Sequence, residues 1–235
     1  MHVHLMAKMI LQVTQDLRRR FLGLQALVGY VEEAKVTESG VELNKFGEEL
    51  SVEAKEKYTL ESLKNVPVFR TYRDFFWKVG IDPTKVRPAA EALIRRILSG
   101  KALPRINNLV DAYNLASIKT GIALAAFNRD ELKGELVMRQ AQQGERFLGI
   151  GMQNEAVLTG KEVVISDSEK LVAVYPHRDS EKSKITKLTA NILILACGVP
   201  GIETQTLENA REIALDYIVR FCGGISSLSQ HNKHP

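Results

Sequence analysis

The spacing of the apolar residues changes near Gly134, and this change limits the folds open to the chain. Before it, between residues 39 and 120, apolar side chains recur at the spacing of amphipathic helices. After it, short alternating runs separated by Gly or Asp turns are typical of β-strands. Strands at the start and a helix near the end complete the order strands, helices, strands, helix. This order predicts an α+β fold.

The predicted elements follow from these patterns. The predicted helices carry an apolar stripe and cover residues 39–63, 67–79, 88–98, 107–120 and 204–221. The predicted strands are short apolar or alternating runs at 9–13, 24–31, 136–139, 146–150, 162–166, 171–175 and 192–197. We expect the first two strands to pair with each other. The sequence predicts one domain over residues 1–225 and a disordered tail over 226–235.

The composition is that of an ordinary globular protein. The chain has 235 residues, of which 45% are hydrophobic and 26% are charged. No apolar run approaches the roughly 20 residues of a membrane-spanning helix, so we expect no membrane partner. Cys197 and Cys222 lie in apolar contexts, which favours buried free thiols in a reducing cytoplasm. The net charge of +4 permits contact with nucleic acid but does not require it.

Several catalytic signatures are missing from the sequence. It has no Gly-rich phosphate loop, no zinc-ligand spacing and no Gly-x-Ser-x-Gly turn. His177 is the one histidine far from the termini, and it is a weak candidate for a general base. We therefore expect no cofactor and no metal, and covalent catalysis is disfavoured. An enzyme built from these residues would depend on positioning and hydrogen bonding.

An unusually polar run, residues 106–114, lies inside a predicted helix and contains amides, a carboxylate and a phenol among Leu and Val. Buried polar groups cost free energy unless they are hydrogen-bonded, so such a segment often lines a site. The run 175–180, which contains Arg178, is its expected companion. An arginine fork suits a phosphate or an ester carbonyl.

Structural roles could also account for these residues. Asn108 could cap the helix that begins near Leu109. Asp111 could form an ion pair with Arg178 or Arg139, and Arg178 could instead pair with its neighbour Asp179. Thr189 could be a simple turn residue. The sequence leaves these alternatives open.

Taken together, residues 60–215 resemble the tRNA-binding and editing domain of the phenylalanyl-tRNA synthetase beta subunit, and most closely its free-standing relatives. The matching runs share order and spacing, and they are 108–114, 126–130, 144–145, 160–167, 178–180 and 189–193. The resemblance implies a three-layer α+β fold with a β-sandwich core of short, mainly antiparallel strands flanked by helices. It also implies an ester hydrolase that acts in trans on mischarged aminoacyl-tRNA, in a pocket lined by the helix 107–120.

The resemblance also implies a set of site residues. The Thr-Asn pair of the family falls on Tyr113 and Asn114, its pocket histidine falls on Ala125, and its glutamate falls at Leu195. Without that glutamate, we expect much of the preference for tyrosine to be lost. We expect Asn114 and Arg178 to be catalytic, and the expected substrate-binding residues are Asn108, Asp111, Tyr113, Asp179, Ser180 and Thr189.

Two other functions remain open at this point. The chain could be a non-catalytic module that binds tRNA or other RNA, or it could hold a free amino acid or nucleoside. The expected partner is tRNA, in its aminoacylated form under the hydrolase hypothesis. The sequence does not indicate an oligomeric state.

Overall fold

The computed structural model describes residues 11–227. Its α-helices are α1 Gln15–Arg20, α2 Val41–Lys57, α3 Pro67–Lys78, α4 Ala89–Leu98, α5 Asn108–Thr120 and α6 Thr204–Cys222. Its strands are β1 Leu11–Val13, β2 Gln25–Glu32, β3 Ala123–Asn128, β4 Leu136–Gln140, β5 Arg146–Phe147, β6 Ala156–Val157, β7 Val163–Ser166, β8 Leu171–Tyr175, β9 Arg178–Asp179, β10 Ile192–Gly198 and β11 Ile225–Ser226. The β11 strand reaches into the segment expected to be a disordered tail.

Two sheets and a layer of helices form the architecture. The five-stranded sheet has the order β1-β4-β7-β8-β9, and the four-stranded sheet has the order β11-β2-β10-β3. Within these sheets every pairing is antiparallel except that of β1 with β4. The Tyr175 hydroxyl donates to main-chain oxygens of Gln25 and Gly198, which joins the two sheets face to face. The predicted α+β class is confirmed.

The central strand β10 determines which side chains enter the space between the sheets. All of its residues are buried, as expected for a strand covered on both faces. A Cβ on Gly198 would meet Leu207 of α6, so one face of β10 packs on the helix layer. The alternate residues, which include Leu195 and Cys197, therefore face the five-stranded sheet. Ala125 of β3 lies opposite Leu195 and shares that face.

Helices α3 and α4 are fixed to the sheets and to each other by buried polar groups. The Tyr72 hydroxyl bonds to the Cys197 carbonyl at 2.5 Å and accepts a hydrogen bond from the Ala123 amide. Glu91 of α4 is fully buried and receives two hydrogen bonds from Arg73 of α3, at 2.6 and 2.7 Å. These contacts hold α3 over the junction of β3 and β10.

Several expectations about individual elements were wrong. The first two predicted strands do not pair, because β1 joins the five-stranded sheet and β2 the four-stranded one, with α1 between them; Met9 and Ile10 lie outside the described residues. The helix predicted over 39–63 ends at Lys57. The strand predicted over 146–150 is reduced to β5, which pairs with β6 outside the two main sheets. Trp77 belongs to an aromatic cluster in the helix predicted over 67–79, where the helical spacing predicts core positions, but it is 57% exposed.

Candidate functional site

Two asparagines organise the start of α5. Asn107, not Asn108, is the N-cap, since its side chain accepts a hydrogen bond from the Val110 amide at 2.9 Å. The buried Asn108 amide donates to the carbonyls of Lys35 and Phe221, and it accepts from the Thr37 main chain. Asn108 thereby fastens α5 to the segment after β2 and to the end of α6.

Asp111 is held by neutral partners rather than by an arginine. Its carboxylate accepts a hydrogen bond from the Ser39 hydroxyl at 2.5 Å and another from the Ile106 amide at 3.1 Å. Burial raises the pKa of Asp111, and these hydrogen bonds and the charge of Arg105 act against that rise. The expected ion pair with Arg139 or Arg178 is absent among residues 11–227, and Arg139 binds Glu145 at 2.6 Å instead.

Tyr113 and Asp179 lie far apart in the sequence, but in the fold the charge of Asp179 acts on the Tyr113 phenol. Burial raises the pKa of the Tyr113 phenol, and the charges of Asp179 and Asp111 raise it further. Burial also raises the pKa of Asp179 to about 7, against the opposing charge of Arg178. Among the described residues, no group makes a hydrogen bond or an ion pair with the Asp179 carboxylate. The site therefore contains a phenol that stays protonated and a free carboxyl that titrates near neutral pH.

The Asp179 side chain lies between the two sheets. It pairs with Ala173 of β8, and its side chain lies on the face of the sheet that carries Tyr175. Its charge raises the pKa of the Cys197 thiol, which burial has already raised. Strand β9 also contacts β3. We call Tyr113, Ala125, Asp179, Leu195 and Cys197 the inter-sheet site.

The family positions 125 and 195 contribute apolar surface to this site. Ala125 is 7% exposed and Leu195 is 1% exposed. They form a cross-strand pair in β3 and β10. The sequence did not single out Cys197, but the alternation within β10 places it beside Leu195 on the same face. Asp179 thus supplies a carboxylate to a region where Leu195 supplies none.

Arg178 points away from its neighbour Asp179. Its guanidinium donates to the Ile150 carbonyl at 2.9 Å, and its aliphatic part lies over Gly149, where a Cβ would overlap it. The structure has no Arg178–Asp179 ion pair among the described residues, so that structural alternative was wrong. Arg178 is exposed, beside the inter-sheet site rather than inside it.

Two further predicted residues are engaged locally. The buried Ser180 hydroxyl accepts a hydrogen bond from the Lys182 amide and starts a short 3₁₀ turn. The buried Thr189 hydroxyl accepts from the Thr186 amide at 3.0 Å, which makes Thr189 a turn residue in this structure. His177 packs edge-on against Phe76 of α3, and burial lowers its pKa to about 4. The imidazole is therefore neutral at physiological pH.

Asn114 lies on a different side of α5 from Tyr113. It lines a cleft of about 490 Å³ between α2, α4, α5 and the segment 100–105, together with Asp111. We call this space the helical cleft. Asn114 and Arg178, predicted to act as a pair, are therefore not brought together. Among residues 11–227, no three His, Cys, Asp or Glu side chains gather as metal ligands.

Comparison with known proteins identifies the family. The family model of the B3/4 domain matches residues 71–225, and the chain belongs to this family. The chain is 32% identical over 149 residues to the phenylalanine–tRNA ligase beta subunit of Protochlamydia amoebophila, covering 62% of this chain and 16% of that protein. It is 39% identical over 110 residues to the same subunit of Geobacter metallireducens, covering 46% of this chain and 14% of the relative. The chain thus spans less than a fifth of the length of these relatives.

A solved structure supports the fold. The chain is similar to an N-terminal fragment of the phenylalanyl-tRNA synthetase beta subunit from Pyrococcus horikoshii, with a TM-score of 0.54 and 13% identity. The similarity covers 94% of this chain and 50% of the fragment, and at this identity it supports the fold alone. The protein is therefore related to a domain of an aminoacyl-tRNA synthetase. Within residues 11–227, no helix is long and apolar enough to cross a membrane.

Proposed function

We propose that this protein binds the aminoacylated end of a mischarged tRNA at the inter-sheet site and hydrolyses its ester in trans. The observation that carries the proposal is the Asp179 carboxyl, which has no ion-pair or hydrogen-bond partner among the described residues and whose charge acts on the Tyr113 phenol. Both groups lie where the fold brings together positions 125 and 195, which the family resemblance assigns to the editing pocket. An unpaired, partly buried carboxyl is costly to maintain, and perturbed carboxyls of this kind concentrate at functional sites.

The chemistry follows from the protonation states of the two groups. Ionised Asp179 takes a proton from a water molecule as that water attacks the ester carbonyl carbon. The protonated Tyr113 hydroxyl donates a hydrogen bond to the carbonyl oxygen as it gains negative charge. The carbon–oxygen bond to the ribose then breaks, and the proton passes from Asp179 to the departing ribose oxygen. A carboxyl with a pKa of about 7 is suited to both proton transfers at neutral pH.

Arg178 and Asn114 receive other roles in this proposal. The exposed Arg178 guanidinium is next to Asp179 in the chain, and its planar fork suits a phosphate of the tRNA end. Asn114 lies in the helical cleft, away from the reacting carbonyl in this assignment. Cytoplasmic location and tRNA as the partner are part of the same proposal.

The second candidate is a tRNA-binding module without hydrolytic activity. Ala125 and Leu195 favour it, because they bury apolar surface where the family resemblance expects a histidine and a glutamate. Such a module would bind charged and uncharged tRNA with equal affinity and leave the ester intact.

Deacylation of a panel of mischarged tRNAs separates the two candidates. We expect ester loss with the wild type and a rate lower by on the order of 100-fold for Asp179→Asn. Tyr113→Phe should also slow the reaction, whereas Asn114→Ala should not. Asp74→Asn, which changes an exposed carboxylate on α3, is the matched control. Binding without ester loss by the wild type would establish the module instead, and full activity of Asp179→Asn would reject the assigned site.

A further inference from the structure

The helical cleft lies outside the inter-sheet site and depends on an element outside the family match. One of its walls is α2, which precedes the matched residues 71–225. Its floor is aliphatic and includes Leu43, Ile97 and Leu115, all of them buried. The lining contains no aromatic side chain, so it offers nothing on which a nucleobase could stack. The volume of about 490 Å³ is within the range of small-molecule sites.

The walls of the cleft are fixed by specific contacts. Lys119 of α5 forms a 2.6 Å ion pair with Glu53 of α2, and Phe46 of α2 packs edge-on against Tyr217 of α6. The segment 100–105 is held at one end by a hydrogen bond from Arg96 to the Ala102 carbonyl. At its other end, the Ile106 amide is bound by Asp111, as described above. The cleft is therefore a preformed feature of the fold.

Gly47 faces this cleft from the middle of α2. Its backbone is helical, and a Cβ there would meet only Leu115, at an ordinary contact distance of 3.5 Å. Glycine inside a helix costs roughly 0.5–1 kcal/mol relative to alanine. Neither the helix nor its packing requires the glycine. Its effect in this structure is to leave space in the cleft.

The charges around the cleft are unbalanced. Lys55, Lys101 and Arg105 line it, and their side chains make no ion pair or hydrogen bond with another described residue, although the charge of Arg105 acts on Asp111. The same lining carries two carboxylates, Glu48 and Asp111, and Asp111 accepts hydrogen bonds from the neutral groups of Ser39 and Ile106. With three cationic side chains against two carboxylates, the lining carries a small excess of positive charge above an apolar floor.

The Asn114 amide completes the polar part of the cleft. Its side chain makes no hydrogen bond with any residue in the described range 11–227, although it is partly buried. Such a group can both donate to an anion and accept from a polar ligand group. A small excess of positive charge, one unpaired amide and an aliphatic floor define the chemistry of a complementary ligand.

We propose that the helical cleft binds a small amphipathic carboxylate with an aliphatic body. The apolar chain lies against Leu43, Ile97 and Leu115, and the carboxylate meets Lys101 and Arg105 at the mouth. Asn114 donates a hydrogen bond to the same carboxylate. This site is separate from that of the proposed ester hydrolysis, because Asn114 projects about 100° away from Tyr113 around α5.

Calorimetric titration of the full chain tests the proposal, with octanoate, octanol and octylamine as probes. We expect saturable binding of octanoate that weakens with added salt, and affinities for octanol and octylamine lower by about tenfold or more. The double variant Lys101→Gln/Arg105→Gln should lose about tenfold in octanoate affinity and keep its affinity for octanol. Lys64→Gln/Lys78→Gln removes the same charge from exposed positions on other elements and serves as the matched control.

A second variant addresses the apolar part of the site. Gly47→Leu fills the cleft from α2, and it should abolish octanoate binding while the circular dichroism spectrum stays that of the wild type. The proposal is overturned if octanoate shows no saturable binding, if octylamine binds as well as octanoate, or if the lysine–arginine double variant behaves like its control.

Discussion

The free carboxyl of Asp179 should reduce the stability of the folded protein at neutral and alkaline pH. Its pKa is raised from the ordinary 3.8 to about 7 in the fold, so the native state holds a proton that the unfolded chain releases. Between about pH 4 and pH 7 the native state binds more protons, and the free energy of unfolding therefore falls as the pH rises. The full pKa difference corresponds to about 4 kcal/mol. Because Asp179 is only partly buried, solvent screening reduces this free-energy difference. We therefore expect the ionised carboxyl to lower the free energy of unfolding by about 2 kcal/mol.

The substitution Asp179→Asn removes the charge and keeps the shape. We expect the variant to be more stable than the wild type by about 2 kcal/mol at pH 8, and equal to it within error at pH 4. Urea denaturation followed by circular dichroism at both pH values measures this difference, with Asp74→Asn as the control. A variant that is no more stable than the wild type at pH 8 would show that Asp179 is paired or well solvated in the fold. The raised pKa of Asp179, on which the proposed acid–base role depends, would then be rejected.

Three further expectations concern stability and reactivity. Glu91→Gln should lower the free energy of unfolding by about 3 kcal/mol, because Arg73 loses a buried ionic partner. Urea denaturation measures this loss, and an unchanged midpoint of the urea transition would contradict it. Asn108→Ala should lower it by about 2 kcal/mol, since three main-chain groups lose their hydrogen bonds; a loss below about 0.5 kcal/mol would mean that water replaces the amide. Cys197 and Cys222 are free and buried, and burial raises both of their pKa values, to about 12 for Cys222. Both thiols should react with Ellman's reagent only after denaturation, and rapid reaction of the native protein would refute this.

The sequence was sufficient for the features that depend on local order. The apolar spacing predicted α3 to α6 with their ends correct to within two residues, and the left-handed Gly121 that ends α5 was expected from its position. The run 192–197 was expected to be a strand buried on both faces, and β10 is such a strand. These predictions succeeded for the same reason. The spacing of apolar residues within an element shows which of its own faces is buried.

The errors concern partners that lie far apart in the chain. Two early apolar strands look alike whether they pair with each other or enter different sheets, so the separation of β1 from β2 could not be read from them. The sequence also did not determine what each side of α5 packs against. Tyr113 and Asn114 are neighbours in sequence but project about 100° apart around the helix. This rotation is what sends Tyr113 to Asp179 and Asn114 to the helical cleft.

The position of the carboxylate bears on the substrate of the proposed reaction. The family resemblance expects the acidic group on the central strand β10, at the position of Leu195, whereas here the acid is Asp179 on the edge strand β9 of the facing sheet. A carboxylate on β10 would meet the far end of an amino-acid side chain that reaches between the sheets. In this structure that end would meet Leu195 and Ala125, which cannot form a side-chain hydrogen bond to a hydroxyl. Asp179 and Tyr113 instead supply polar groups at the edge of the site, where we propose that the ester enters. The geometry therefore favours hydrolysis of an ester whose amino-acid side chain is small or apolar over that of a tyrosyl ester, since a buried hydroxyl without a partner costs free energy.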